Sequence, residues 1–146
     1  MALVHSAVQV DLRPVTMNDA KMLFEWRNDP ETRANSRKTA PVPWEEHCKW
    51  LRESLANPKR ELLVAEIDGV PVGRARIDRG EETEMSWTVA PDHRGKGVGK
   101  AMVAAACPPG PVVARIKPSN RASQAIAAHA GFRKVSDGEF QVWRRP

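Results

Sequence analysis

Tyrosine is missing from this 146-residue chain, so no phenolic hydroxyl is present to pass a proton. Cysteine is scarce: Cys48 and Cys107 are too few for a dense disulfide framework and point to a reduced, cytoplasmic protein. The histidines, at positions 5, 47, 93 and 129, do not pair at i, i+4, and the cysteines stand far from ligand spacing, so no metal site is expected. No apolar run approaches the ~20 residues of a membrane span. The opening MALVHSAVQVDLRP lacks the charged and long apolar stretches of a secretory signal. Repeats, low-complexity tracts and linkers are also lacking, so one domain over 1–146 is expected. What the chain does have is positive charge, +5 net from 23 Lys and Arg against 18 Asp and Glu. That excess favours an anionic ligand. The cations are scattered among nearly as many acids rather than gathered on one face with aromatics, which argues against a nucleic-acid-binding module.

Periodicity divides the chain into short elements. Val8 to Leu12 alternates as a strand. Thr16-Met17-Asn18-Asp19 has the form of a capping box, followed by a helix whose apolar face is Ala20, Leu23 and Phe24 and which Pro30 stops. Glu31 to Ala40 is polar without period and reads as a loop. Pro43 opens a second helix, with Trp44, Cys48, Leu51 and Leu55 along one side and Trp44 in the core; Asn57-Pro58 ends it. Leu62 to Ala65 and Val72 to Ile77 are strands joined by a tight turn at Asp68-Gly69. Glu84 to Val89 is a strand, 98 to 106 a helix, Val112 to Lys117 a strand, and Asn120 to Ala130 a helix stopped by Gly131. Val135 and Phe140 to Trp143 supply a last strand pair. The order β-α-α-β-β-β-α-β-α-β-β predicts a mixed α/β fold.

The stretch RGKGVGK, 94 to 100, places three glycines among three cations between a strand and an apolar helix. Glycine lets a ligand approach the backbone, and the exposed amides at a helix start attract anions. A phosphate or pyrophosphate is the natural guest. A P-loop is excluded by Arg94, where glycine is needed, and by Ala101, where Ser or Thr is needed. A dinucleotide fingerprint on Gly97 and Gly99 fails at Met102.

Arg94-x-x-Gly97-x-Gly99 directly after SWTVAP resembles the acetyl-CoA pyrophosphate loop of the GNAT family of N-acetyltransferases. KPSNRASQAIAAHAGFRKV, with Asn120, Ser123, Gly131 and Phe132, is similar to that family's later segment, and the element order of the whole chain agrees. The resemblance implies a single GNAT-like domain, a mostly antiparallel sheet splayed between its fourth and fifth strands and flanked by helices, and acetyl-CoA in the gap. It implies that strand 84–89, Val89 included, holds the pantetheine arm. The pyrophosphate falls to the loop Arg94, Gly95, Lys96, Gly97, Val98, Gly99 and Lys100, with Asn120 and Ser123 also on the coenzyme. Asn120 is equally a good helix N-cap.

The implied reaction is direct attack of a neutral primary amine on the thioester, with a base removing a proton through water and a backbone N–H near Val89 or Ala90 holding the oxyanion. Glu84 is the expected base, on a face shared with Ser86 and Thr88; Glu66 is the reserve. Many relatives carry a tyrosine acid seven residues after the motif Asn, and here that residue is Ala127. His129, two residues on, turns about 200° away. A thiolate, with a thiol pKa of ~8.5, leaves without help. The missing tyrosine also leaves open a sensor that binds acetyl-CoA without turnover.

The acceptor is expected against the first two helices, at Trp26, Arg27 and Asn28, with Arg33, His47 and Trp50 nearby. EWRNDPETR and WEEHCKWL resemble the subgroup containing sugar-nucleotide amine acetyltransferases of the pseudaminic type, and ribosomal-protein N-terminal acetyltransferases carry similar stretches. Several of the peptide-amine enzymes have a glutamate where this chain has Arg115. Arg115 reads either as a guide for an anionic acceptor or as an ordinary strand charge. Family members often dimerise.

Overall fold

The computed structural model describes residues 8–146; the leader reading over MALVHSA, with His5, lies outside them. The elements are β1 (Asp11–Pro14), a short 3-10 turn, α1 (Ala20–Asn28), α2 (Pro30–Ala34), α3 (Trp44–Ala56), β2 (Arg60–Ile67), β3 (Val70–Asp78), β4 (Glu84–Val89), α4 (Val98–Ala106), β5 (Val112–Ile116), α5 (Arg121–His129), β6 (Arg133–Ser136) and β7 (Gln141–Arg145). They build one seven-stranded sheet in the order β1-β2-β3-β4-β5-β7-β6. Every neighbouring pair is antiparallel except β4 with β5.

The capping box is present. Thr16 Oγ1 accepts from the Asn18 amide at 3.2 Å, while Asp19 Oδ2 accepts from the Thr16 amide at 2.9 Å. Asp19 also accepts from both terminal guanidinium nitrogens of Arg13, at 2.9 and 2.8 Å, and Arg13 Nε donates to Glu66 at 3.1 Å. A local helix-start signal is thereby tied to β1 and β2. The larger core lies between the sheet and α4 and α5, around Met85, Met102, Val103, Ala114 and Ala127. A second core, with Leu23, Leu51 and Val64 at its centre, packs α1 and α3 on the opposite face.

Four expectations are corrected. The first strand starts at Asp11, not Val8: Asp11 pairs with Glu66, and β2 ends one residue later at the turn. Residues 31–34 are helical. Pro30 ends α1 and also opens α2, because Asp29 Oδ2 caps the Thr32 amide at 3.1 Å and proline suits a first helical position. The inward face of α3 is His47, Leu51 and Ser54. Trp44 and Leu55 are 45% and 40% exposed, so Trp44 leaves the core for an edge contact on Phe24 at 5.1 Å. His47 and Ser54 are tolerated inside because Ala20 O meets His47 Nε2 at 2.9 Å and Arg60 Nη1 donates to Ser54 Oγ at 2.9 Å.

Candidate active site

β4 and β5 share one register pair, Glu84 with Val113, supported by the Val113 amide on Thr83 O at 2.8 Å. Beyond it the strands diverge. β4 remains paired with β3 along its whole length, Glu84 with Asp78 through Val89 with Gly73. Backbone groups of a strand alternate between its two neighbours. The Ala90 amide donates to Val72 O at 2.8 Å, toward the β3 side, and Thr83 O faces β5. The alternation therefore turns the backbone N–H groups of Trp87 and Val89 into the gap. This separates the two expected oxyanion donors: Ala90 is spent on the sheet, whereas Val89 faces the gap and so does Trp87.

The glycine loop stands at the gap's far end. Gly97 is the N-cap of α4 and adopts φ 79°, in the left-handed region where a Cβ is disfavoured. Gly95, at φ 72°, would present an added Cβ to open space. The first amides of α4 have no intrahelical partner, and Lys96 and Lys100 are exposed beside them. Gly99 serves another purpose. A Cβ there would stand 3.2 Å from Val89 Cγ2 and collide with Ile126 Cδ1, so glycine lets α4 close on β4 and α5. Val98 is buried and anchors the helix start in the core. Arg94 faces away from the loop's amides: Nη2 donates to Asp29 Oδ2 at 2.6 Å and Thr32 Oγ1 at 3.0 Å, and Nη1 lies 2.8 Å from Glu31.

A cleft of about 600 Å³ joins the gap to α1–α3. Its lining includes Trp26, Arg27, His47, Trp50, Arg74, Glu84, Trp87, Asn120 and Ser123; of the predicted coenzyme residues, Val89 and the loop 94–100 are not part of it. Glu84 accepts from Arg115 Nη1 at 2.7 Å and is 36% exposed over its side chain. It sits at the closed end of the gap. Trp87 lies three residues along, about 10 Å at the ~3.3 Å rise of a strand, and Val89 about 17 Å. Of the two gap-facing amides, that of Trp87 is the nearer to Glu84. Trp87 Nε1 is itself buried without a partner.

Other expected residues fall outside the cleft or have partners of their own. Glu66 is held by Arg13 at 3.1 Å and does not line the cleft. Asn28 spends both ends of its amide on Val42, at 2.9 and 2.7 Å, clamping the chain after α2. Arg115 is occupied by Glu84 and Glu82, so it is not a free guide for an anion. His129 is exposed at the end of α5, and Ala127 is fully buried where relatives place an acid. Asn120 Oδ1 caps α5 by accepting from the Ser123 amide at 3.1 Å.

The sequence reading missed Arg74. It lies on β3 opposite Thr88, to whose Oγ1 its Nη2 donates at 3.3 Å, while its Nη1 is buried with no partner. Burial, with Arg76 and Arg27 nearby, pushes its pKa down to about 10. The alternation of 73 to 78, with Gly73, Ala75 and Ile77 buried, was the available signal for Arg74 and Arg76 on the face away from the main core. No group of metal-ligating side chains occurs among the described residues.

Residues 9–133 match the family model described as Acetyltransferase (GNAT) domain. No protein of curated function matches the chain. Among solved structures, AAC(6')-Ib in complex with paromomycin and acetyl-CoA superimposes with a TM-score of 0.81 at 22% identity, over 94% of this chain and 93% of that one. An acetyltransferase from Thermus thermophilus gives 0.79 at 25% identity, over 96% and 98%. Spermidine N-acetyltransferase from Vibrio cholerae, in complex with CoA and spermine, gives 0.78 at 14% identity over 93% of each chain.

Proposed function

The chain belongs to the acetyltransferase (GNAT) family, and from that premise we propose that it moves an acetyl group from acetyl-CoA to a small primary amine by direct attack in the cleft. The single observation that carries this reading is the gap itself. β4 offers unpaired amides along one edge and ends at a glycine-opened helix start, a fit for an extended chain bearing a pyrophosphate.

The residues divide as follows. The backbone of 95–99 takes the pyrophosphate, and Lys96 and Lys100 add charge at the rim. The Val89 backbone and the Asn120–Ser123 corner border the coenzyme's arm. The Trp87 amide donates to the oxygen that becomes negative as the amine attacks. Glu84 takes the amine's proton through water. The departing thiolate needs no acid, in keeping with a chain that has no tyrosine and a buried alanine at 127. Trp26 and Arg27 stand on the acceptor side, and the acceptor is an amino-sugar nucleotide, since the α1 and α3 stretches resemble enzymes that act on such amines.

Calorimetry with CoA and acetyl-CoA tests the coenzyme assignment, and saturable binding is expected. Mass spectrometry of acetyl transfer to amino sugars, polyamines and peptides then tests turnover. Absence of CoA binding by the folded protein would overturn the reading.

A further inference from the structure

The acceptor side of the cleft holds more positive charge than its acids neutralise. Arg76 and Arg60 use both oxygens of Asp78, at 2.8 and 2.7 Å. Glu84 is paired with Arg115, and Glu46 is exposed at the margin. Arg27 and Arg74 are left without a carboxylate among the described residues. Arg27 donates through Nη2 to the Lys38 carbonyl at 3.0 Å, and Arg74 through Nη2 to the Thr88 hydroxyl; the Nη1 of each is buried and unpartnered. Both residues line the same cleft.

Such an arrangement is costly. A charged nitrogen shut off from water without a partner forfeits its hydration, and buried polar groups in folded proteins are overwhelmingly satisfied. Two orphaned donors on always-charged forks in one cleft are the recognition chemistry of a carboxylate or phosphate, which accepts N–H bonds from several directions. The position also fits. Thr88, Arg74's partner, is next to Trp87 on β4, so an anion on Arg74 lies within one strand of the expected oxyanion donor. His47, on the same wall, has its ring nitrogen on a backbone carbonyl and adds no negative charge.

We propose that Arg27 and Arg74 form the docking site for an anionic group, carboxylate or phosphate, on the acceptor amine, and that the enzyme selects anionic amines over neutral and polycationic ones. This rests on the acetyltransferase reading for the identity of the cleft's second occupant, while the anion site itself is testable without turnover.

The test uses the full chain saturated with CoA, so that the glycine loop is filled. Ethanolamine, phosphoethanolamine, β-alanine and spermine are titrated at low salt, with binding followed by tryptophan fluorescence. Phosphoethanolamine or β-alanine should bind at least tenfold more tightly than ethanolamine or spermine; which of the two leads assigns phosphate or carboxylate. Arg74→Met and Arg27→Met should each erase that preference while CoA affinity stays within twofold. Thermal unfolding gives a second reading. Arg74→Met should keep or raise the melting temperature without anion, and inorganic phosphate should raise that of the parent protein but not of the variant. Equal binding of ethanolamine and phosphoethanolamine, or a preference that survives both substitutions, overturns the proposal. Failure of CoA to bind would strike the acetyltransferase reading, and the phosphate-dependent melting shift and its loss in Arg74→Met would still decide the anion site.

Discussion

Arg94 Nη2 donates to Asp29 Oδ2 at 2.6 Å across 65 residues of sequence. The cation that opens the glycine loop is thus the bolt between that loop and α2, and Asp29 is also the cap of α2. Arg94→Ala should cost about 1–3 kcal/mol, the usual worth of hydrogen bonds to charged groups, measured by urea unfolding. CoA affinity should fall less than threefold, because the loop amides rather than the guanidinium hold phosphate.

Gly97 tests the loop backbone. Gly97→Ala imposes a left-handed angle on a residue with a Cβ, a cost of about 1–2 kcal/mol. Gly97→Glu adds bulk and negative charge at a helix N-terminus meant for an anion. A folded Gly97→Glu protein should show no CoA heat in calorimetry.

Glu84→Gln keeps the shape of the side chain and removes its basicity. The expected result is a fall in kcat of roughly 10²-fold or more, within the range for general bases, with CoA affinity unchanged. A fall confined to KM would assign Glu84 to orientation through Arg115 instead.

Asn120 distinguishes capping from coenzyme contact. Asn120→Ala removes the bond to the Ser123 amide and should cost about 1 kcal/mol. Asn120→Asp retains the accepting oxygen and should keep the melting temperature within a degree or so of the parent. A loss of CoA affinity in both variants would reveal a role for the amide's N–H, whereas a loss in Asn120→Asp alone would report its added negative charge.

His47 sets a pH dependence. Desolvation first, then the charges of Arg27 and Arg74, hold its pKa below the ordinary 6.5, against the opposing pull of the Ala20 carbonyl. Below pH 6.5 the unfolded chain binds a proton that the folded chain resists. Stability is therefore full above pH 6.5 and declines as pH falls through that value. Urea midpoints at pH 7.5 and 5.5 should differ, and His47→Asn should narrow the difference.

Elements defined by local chemistry were legible in the sequence. β4 alternates within its own six residues, α4 starts where the glycines end, and Thr16–Asp19 carries both halves of its capping box. What escaped depends on partners distant in sequence. The inward side of α3 looked apolar at Trp44 and Leu55, yet His47 and Ser54 are inside because α1 and β2 satisfy them. Asn28 looked free for a substrate until Val42 claimed it. α2 was hidden by taking Pro30 only as a stop, although Asp29-Pro30 also has the form of a cap and first helical residue. Arg74 was readable from strand alternation, but its lack of a counter-ion was not, since that is a property of every neighbour at once.

Among the described residues, Glu84 with Val113 is the one ladder pair joining the β1–β4 half of the sheet to the β5–β7 half, and the two halves part beyond it. Behind it, α4 packs against α5 and braces the two halves. A methyl group at 99 would have to push Val89 and Ile126 away, so the glycine that closes the loop also sets how near β4 and α5 stand behind the gap.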